Sequence, residues 1–227
     1  MREMDRNVLS AAFHVTIPVL MGYLAIGMAF GLMMDSAEYN VFWALLMSLI
    51  IYAGAGQYMG VTLLAAGASP LQTALMTLLL NFRHMFYGLS MLEKFRGMGL
   101  RKLYMIFSLT DETYALLASA KAPEGVREKD YYLAIALMDH SYWVLGTVLG
   151  SLLGSALSFD TTGVDFAMTA LFIVIAVGQW KGTRNHLPAA IGCLATLASL
   201  RLAGEDNMLI LALVVIVAAL LVFSPKM

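Results

Sequence analysis

Charge is what this sequence has least of. Lys, Arg, Asp and Glu make up 13% of its 227 residues, while apolar residues make up 60%. Soluble domains run at about 25% charged and about 45–50% apolar. A water-facing exterior cannot be built from such a mixture, and a lipid surround removes the need for one. The net charge of -1 gives no sign of the basic excess that nucleic-acid binding favours. There is one cysteine, Cys193, so neither an internal disulfide nor a cysteine-based metal cluster can form. No clear signal peptide is expected at the N-terminus either. Met1–Ser10 mixes Arg2 and Arg6 with Glu3 and Asp5, and no small-residue cleavage site stands out. The first apolar run is therefore expected to remain as a membrane helix.

What the sequence has is apolar runs, about eight of them. They cover Ala11–Met33, Val41–Ala66, Leu71–Leu92, Lys102–Ala120, Tyr131–Leu157, Asp165–Trp180, His186–Leu202 and Asn207–Phe223. A spanning helix needs roughly 20 apolar residues. Backbone groups in lipid must bond internally, which selects helices. The runs lack the alternation of a membrane β-barrel. The expected fold is all-α, a polytopic integral membrane protein of about seven or eight transmembrane or re-entrant helices in a single domain over 1–227. The longest polar connection is Lys121–Asp130, broken by Pro123 and Gly125.

Gly146, Gly150 and Gly154 share one face of the fifth run, and Gly27 and Gly31 one face of the first. Such spacing lets two helix backbones approach closely, and packing is its ordinary use. A weak repeat is also visible, with halves at 11–92 and 131–203. Gly27, Gly31, an acidic loop, Gln57 and Pro70 recur as Gly150, Gly154, an acidic loop, Gln179 and Pro188. Transporters often place their site between such repeats.

Topology does not alternate cleanly. The loops with Asp35 and Glu38, and with Asp160 and Asp165, look external by the positive-inside rule, and that with Lys181 and Arg184 cytoplasmic. The most basic loop, with Lys94, Arg96, Arg101 and Lys102, falls outside on simple alternation from a cytoplasmic N-terminus. Either the bias is violated or one early segment dips in and returns. The candidates are the second run, at Gly54 and Gly56, and the fourth, at Asp111.

Polar groups inside apolar runs carry the functional information, since a charge at the bilayer centre costs about 2.5–3.5 kcal/mol on insertion scales. Four clusters qualify. Tyr52–Gln57 places Gly54 and Gly56 mid-span, where they weaken the helix and expose backbone groups to a solute. The plainer reading is close packing with Gln57 bonded to a neighbour. Asn81-Phe82-Arg83-His84 offers a guanidinium fork that matches a carboxylate, and a histidine that titrates near neutrality. Its plainer reading is an ion pair to Asp111 or Glu112. Thr110–Thr113 sets Asp111 and Glu112 about 100° apart on a helix, so one can pair with Arg83 while the other faces a cavity or carries a proton. Asp139-His140 reads as a proton relay or as a satisfied structural pair. Tyr52, Phe86 and Tyr114 are expected to line an apolar pocket, and Trp180 to anchor at the interface. The 17 methionines are scattered and fill gaps. His84 and His140 lack paired ligand spacing, so no metal is expected.

Four stretches resemble the AzlC family, the larger subunit of branched-chain amino-acid exporters. They are Ile17–Gly31 (IPVLMGYLAIGMAFG), Tyr52–Tyr58 (YAGAGQY), Asn81–Ser90 (NFRHMFYGLS) and Leu109–Leu116 (LTDETYAL), in matching order and spacing. The resemblance covers nearly the whole chain and is strongest over the first half. It implies export of leucine, isoleucine, valine and in some members methionine, from the bacterial cytoplasm. It implies a small hydrophobic AzlD-type membrane partner, the cytoplasmic membrane as location, and neither ATP nor any cofactor. The site residues rest on the chemistry of the clusters: Gly54, Gly56, Gln57, Asn81, Arg83, His84, Asp111, Glu112, Asp139 and His140. Arg83 is expected to clamp the substrate carboxylate, with Asp111 or Glu112 facing its ammonium or carrying a coupling proton. A passive channel would use the same cluster as a filter. An intramembrane enzyme would need a nucleophile beside a base, and Ser141 next to His140 points away from it on a helix.

Overall fold

The computed structural model describes residues 6–156, 173, 176, 177, 180, 181 and 184–223. The helices are α1 (Arg6–Ser36), α2 (Val41–Ile50), α3 (Gly54–Ala65), α4 (Pro70–Ser90), α5 (Arg101–Phe107), α6 (Asp111–Ser119), α7 (Glu128–Ala156) and α8 (Leu187–Phe223). No strand occurs among the described residues. Among them, α1, α7 and the Leu187–Gly204 part of α8 are long and apolar enough to cross a membrane. Two compact units result, 1–172 and 173–227. In the second unit α8 bends at Gly204, whose φ of 69° suits glycine. Gln179 of the suggested repeat, with Asp160 and Asp165, lies outside the described residues.

The first unit is organised by α1 and α7, which run parallel. Tyr23 packs edge-on against Trp143 at 5.3 Å. Further along, a Cβ on Gly27 would lie 3.0 Å from the Thr147 nitrogen, and one on Gly154 2.9 Å from Asp35 Cβ. A Cβ on Gly31 would collide with the Thr147 and Ser151 backbone, and one on Gly150 with the Met28 backbone. Partner numbers rise together along both helices, so their N-termini share an end. The glycine faces let the backbones touch, which is how helices associate where lipid supplies no hydrophobic drive.

The second and fourth apolar runs, read as continuous, are each broken in the middle. Tyr52, at φ 42°, ends the descent of α2, and α3 starts afresh at Gly54. Ser108–Thr110 separates α5 from α6, and Thr110 caps α6 by accepting from the Thr113 N–H. Each pair folds back on itself. Ser48 of α2 meets Thr147 at 3.0 Å, and Tyr52 then stacks on His140 at 4.1 Å. On the way back Tyr58 of α3 donates to the Ile26 carbonyl at 2.8 Å, and Gly60 lies beside Met47. Both ends of α2–α3 thus sit at the C-terminal end of α1. The α5–α6 pair mirrors this from the opposite end. Arg101 pairs with Asp130 at 2.7 Å, Tyr104 reaches His140 at 3.0 Å, and Phe107 meets Tyr52 at the tip. Its return takes Thr113 past Asp139 and ends where Tyr132 donates to the Ala120 carbonyl. Lys94 closes this end by donating to the carbonyls of Leu117 and Ala118 at the C-terminus of α6.

These hairpins settle the charge asymmetry. The sequence reading asks for one re-entrant segment, and the structure has two. A single one would leave α1 and α7 antiparallel. With both, Arg6, Lys94, Arg96, Arg101, Lys102, Lys121, Arg127 and Lys129 gather at one end, and Asp35 and Glu38 at the other. The positive-inside rule puts the basic end in the cytoplasm. A cluster containing Val8, Met91, Phe95, Met105, Leu117 and Tyr132 packs that end.

Two outcomes follow. In a Cys193→Ser background, Ala37→Cys and Ala68→Cys react with a membrane-impermeant thiol reagent from one side, and Glu93→Cys and Glu124→Cys from the other. Two spanning segments in place of hairpins would separate the members of each pair. Gly150→Leu overpacks the α1–α7 contact and lowers the unfolding temperature, by an amount matching about 1–3 kcal/mol or more. Gly88→Ala, where nothing lies within 4 Å, does not.

Candidate functional site

Both hairpin tips end at mid-depth, near the midpoints of α1 and α7, and both returning helices start there. Their N-termini face one cavity. Ala53, Gly54, Ala55 and Gly56 supply one wall from the start of α3, and Thr110, Asp111 and Glu112 another from the start of α6. The first N–H groups of a helix have no partners within it and carry the positive end of its dipole. No side chain caps α3. Glycine and alanine at its start leave those N–H groups uncovered.

The third wall is α4, with Asn81, Arg83 and His84. Ser69 caps this helix and Pro70 opens it. At 21 residues it is about 30 Å long, the length of a crossing although less apolar than α1 and α7, with Asn81, Arg83 and His84 in its second half. Tyr23 and Ile26 of α1 and Trp143 of α7 complete the enclosure. The volume is about 20 Å3, room for a water molecule but not for an amino acid.

Arg83 Nη2 lies 2.9 Å from Asp111 Oδ2, so the fork closes on the first acid of the pair. Tyr87 donates to the other oxygen at 2.8 Å. Asp111 is thereby held at both oxygens, while the buried Arg83 Nε has no hydrogen-bond partner. His84 is tied through Nδ1 to the Asn81 carbonyl at 3.2 Å. Glu112 turns inward, 8% exposed, with Oε2 2.7 Å from the Tyr23 hydroxyl.

Seven of the ten expected residues therefore line the cavity: Gly54, Gly56, Asn81, Arg83, His84, Asp111 and Glu112. Gln57, Asp139 and His140 stand behind it. Gln57 is fully buried, accepting from Trp143 Nε1 at 2.9 Å and donating to Ser48 at 3.2 Å. Asp139 is fully buried, with Oδ2 2.9 Å from the Thr113 hydroxyl. His140 bonds through both nitrogens, to Tyr104 and to the Ser48 carbonyl. The expected aromatic lining is corrected. Tyr52 is packed on His140, Tyr114 stacks on Tyr87, and Phe86 faces outward. The rings at the cavity are Tyr23 and Trp143. Each stands one turn before a close-packed residue, Gly27 or Thr147, a spacing too common in apolar runs to mark them in the sequence. Among the described residues no three His, Cys, Asp or Glu side chains are grouped to hold a metal.

Half-helices whose N-termini meet at a buried polar cavity are a construction found in many transporters. The chain belongs to the AzlC family, whose pattern, described as AzlC protein, matches residues 18–157. It is 38% identical over 212 residues to the branched-chain amino acid transport protein AzlC of Bacillus subtilis, covering 93% of this chain and 84% of that one. A membrane protein of Helicobacter pylori (strain ATCC 700392 / 26695) is 45% identical over 216 residues, 95% of each chain. The inner membrane protein YgaZ of Escherichia coli is 32% identical over 190 residues, 79% of this chain and 77% of that one. No solved structure matches. The chain is thus a membrane transport protein.

The ion pair at the cavity gives a direct prediction. Asp111→Asn strands the Arg83 charge and destabilises the purified protein by about 1–3 kcal/mol, since the pair is only partly exposed. Adding Arg83→Gln to that variant recovers part of the loss, as read by thermal unfolding.

Proposed function

We propose that this chain is a secondary exporter of branched-chain and related hydrophobic amino acids, carrying leucine, isoleucine, valine and methionine out of the cytoplasm. The observation that carries the reading is the uncapped start of α3 facing Arg83, whose Nε is also without a partner. Together these groups suit a carboxylate, the one feature common to all these substrates. Asp111 and Glu112 suit the ammonium. Ile26 and Trp143 offer apolar contact to the side chain. The name of the Bacillus subtilis relative supports the substrate class, and that of the Escherichia coli relative supports the inner membrane as the location.

The water-sized cavity favours a carrier over an open channel, because substrate can enter only after the walls move. The buried acids favour coupling to the proton gradient. The outer surface of α4 supports a small AzlD-type partner. This helix carries Arg83 and His84, yet none of its residues is buried, and Gln72 and Thr77 lie exposed among its leucines.

The test is efflux of radiolabelled leucine, valine and methionine from preloaded cells expressing the chain with and without the small partner. Efflux above background that needs both subunits is expected. Arg83→Gln slows it about 10–100-fold, the worth of a charged hydrogen bond. Normal efflux in that variant would remove Arg83 from the site. No efflux of any of the three, with both subunits in the membrane, would overturn the substrate class.

A further inference from the structure

Behind the cavity a chain of hydroxyls joins two buried acids. Glu112 Oε2 lies 2.7 Å from the Tyr23 hydroxyl. That hydroxyl lies 2.6 Å from Thr110 Oγ1, which lies 3.1 Å from Thr113 Oγ1. Thr113 Oγ1 in turn lies 2.9 Å from Asp139 Oδ2. Three of these contacts fall within the hydrogen-bond range for two oxygens, and the Thr110–Thr113 contact lies just beyond it.

A hydroxyl supplies one hydrogen, so three hydroxyls fill three of the four links. The Thr113 N–H also reaches Thr110 Oγ1 and holds the two threonines together at the start of α6. A proton on either acid supplies the fourth hydrogen and makes the chain continuous. Among the described residues no lysine or arginine pairs with either Glu112 or Asp139, so nothing else neutralises them.

We propose that Glu112 and Asp139 share one proton, and that this hydroxyl chain is the proton site and relay of the exporter. The inference rests on the proton-coupled reading above and names its residues. Here the proton resides on Asp139. Its Oδ1 receives no hydrogen bond although the residue is fully buried. A carboxylate in a dry interior does not tolerate that, and the carbonyl oxygen of a neutral acid does. Glu112 sits in the first turn of α6, where the dipole favours negative charge. The groups facing Asp139 are Thr113 and Glu112 from α6, Tyr23 from α1, Tyr104 from α5 and Tyr52 between α2 and α3. On its own helix His140 is adjacent, bonded to Tyr104 and Ser48. None of these is a cation partner.

Transfer is a concerted shift. The protonated acid gives its proton to the neighbouring hydroxyl, each hydroxyl passes its own to the next, and the other acid receives the last. One acid ends ionised, the other neutral, and each hydroxyl keeps one hydrogen. The proton moves between Asp139 in the dry interior and Glu112 at the cavity wall.

The test uses inside-out membrane vesicles containing the full chain with its partner subunit. Two quantities are read: leucine accumulation driven by an acid lumen, and leucine–leucine exchange without a pH gradient. Asp139→Asn donates the missing hydrogen from its amide, so it preserves the network without a proton. It lowers accumulation at least about tenfold relative to its own exchange rate. Thr113→Val, which cuts the relay at constant shape, lowers the same ratio. The infrared spectrum of the wild type shows the carbonyl band of a protonated, buried carboxylic acid; Asp139→Asn removes it, and Glu112→Gln, which leaves Asp139 in place, keeps it.

A wild type that exchanges leucine but is not driven by pH would overturn the coupled reading and the inference with it. A pH-driven wild type with unchanged accumulation in Asp139→Asn and Thr113→Val would overturn only the assignment to these residues. A carboxylic acid band that persists in Asp139→Asn would do the same. Accumulation driven by sodium alone would replace the proton with that ion and overturn the inference.

Discussion

The contact on which the first unit depends is the backbone-to-backbone seam between α1 and α7. It exists because Gly27, Gly31, Gly146, Gly150 and Gly154 supply no Cβ where the two chains meet. Running parallel, the seam fixes the parity of everything between its two helices. A chain that leaves the C-terminal end of α1 must return to the N-terminal end of α7. With α4 as the intervening crossing, the two broken segments must behave alike, both crossing or both returning, and the break in the middle of each makes both return. Given those breaks, the seam and the hairpins are consistent with each other, and the basic residues collect at one end.

The seam also sets the depth of the site. Tyr23 and Trp143 face each other beside it, and the hairpin tips stop against them. Half-helices that end at mid-depth leave unpaired N–H groups where lipid offers none of water's hydrogen bonds. The fold answers this differently at its two tips. Thr110 caps α6, while the start of α3 is left open toward the cavity. Arg83 stands nearby with its charge balanced by Asp111 and one donor unused. A cavity with spare donors and balanced charge is stable when empty and still has binding capacity for an anion.

Most of the site was legible as chemistry out of place. Arg83, Asp111 and Glu112 announce themselves because ionisable groups are costly inside apolar runs. Gly54 and Gly56 announce a weak point, although the chain breaks just before them, at Tyr52. The expected pairing of Arg83 with one acid while the other faces the cavity holds, with Asp111 in the pair. Tyr23 and Trp143 were not legible, because aromatic residues are ordinary in apolar runs and only three-dimensional proximity distinguishes them. For the same reason Tyr52 and Tyr114 looked suited to a pocket and instead pack behind it. The double hairpin was hidden for another reason. Charge bias locates loops but does not count crossings, so one dip and two dips explain the basic loop equally well until the direction of α7 is known.

Thr110 links these levels. Its side chain caps α6 and is also the middle hydroxyl between Glu112 and Asp139. The chain of hydroxyls spans three separate elements: Tyr23 on α1, the tip of the α5–α6 hairpin, and Asp139 on α7. It is therefore complete only while the hairpin is seated between α1 and α7. Withdrawing the tip breaks the links to Tyr23 and to Asp139 together, while those within the tip, Thr110 to Thr113, survive. Two carboxyls in direct contact would repel on losing their shared proton. Three hydroxyls between them relieve that repulsion and make the connection sensitive to the position of the same helix start that forms the cavity wall. Whether the two acids are connected and whether the cavity is closed are thus decided by one movement, because both depend on where α6 begins.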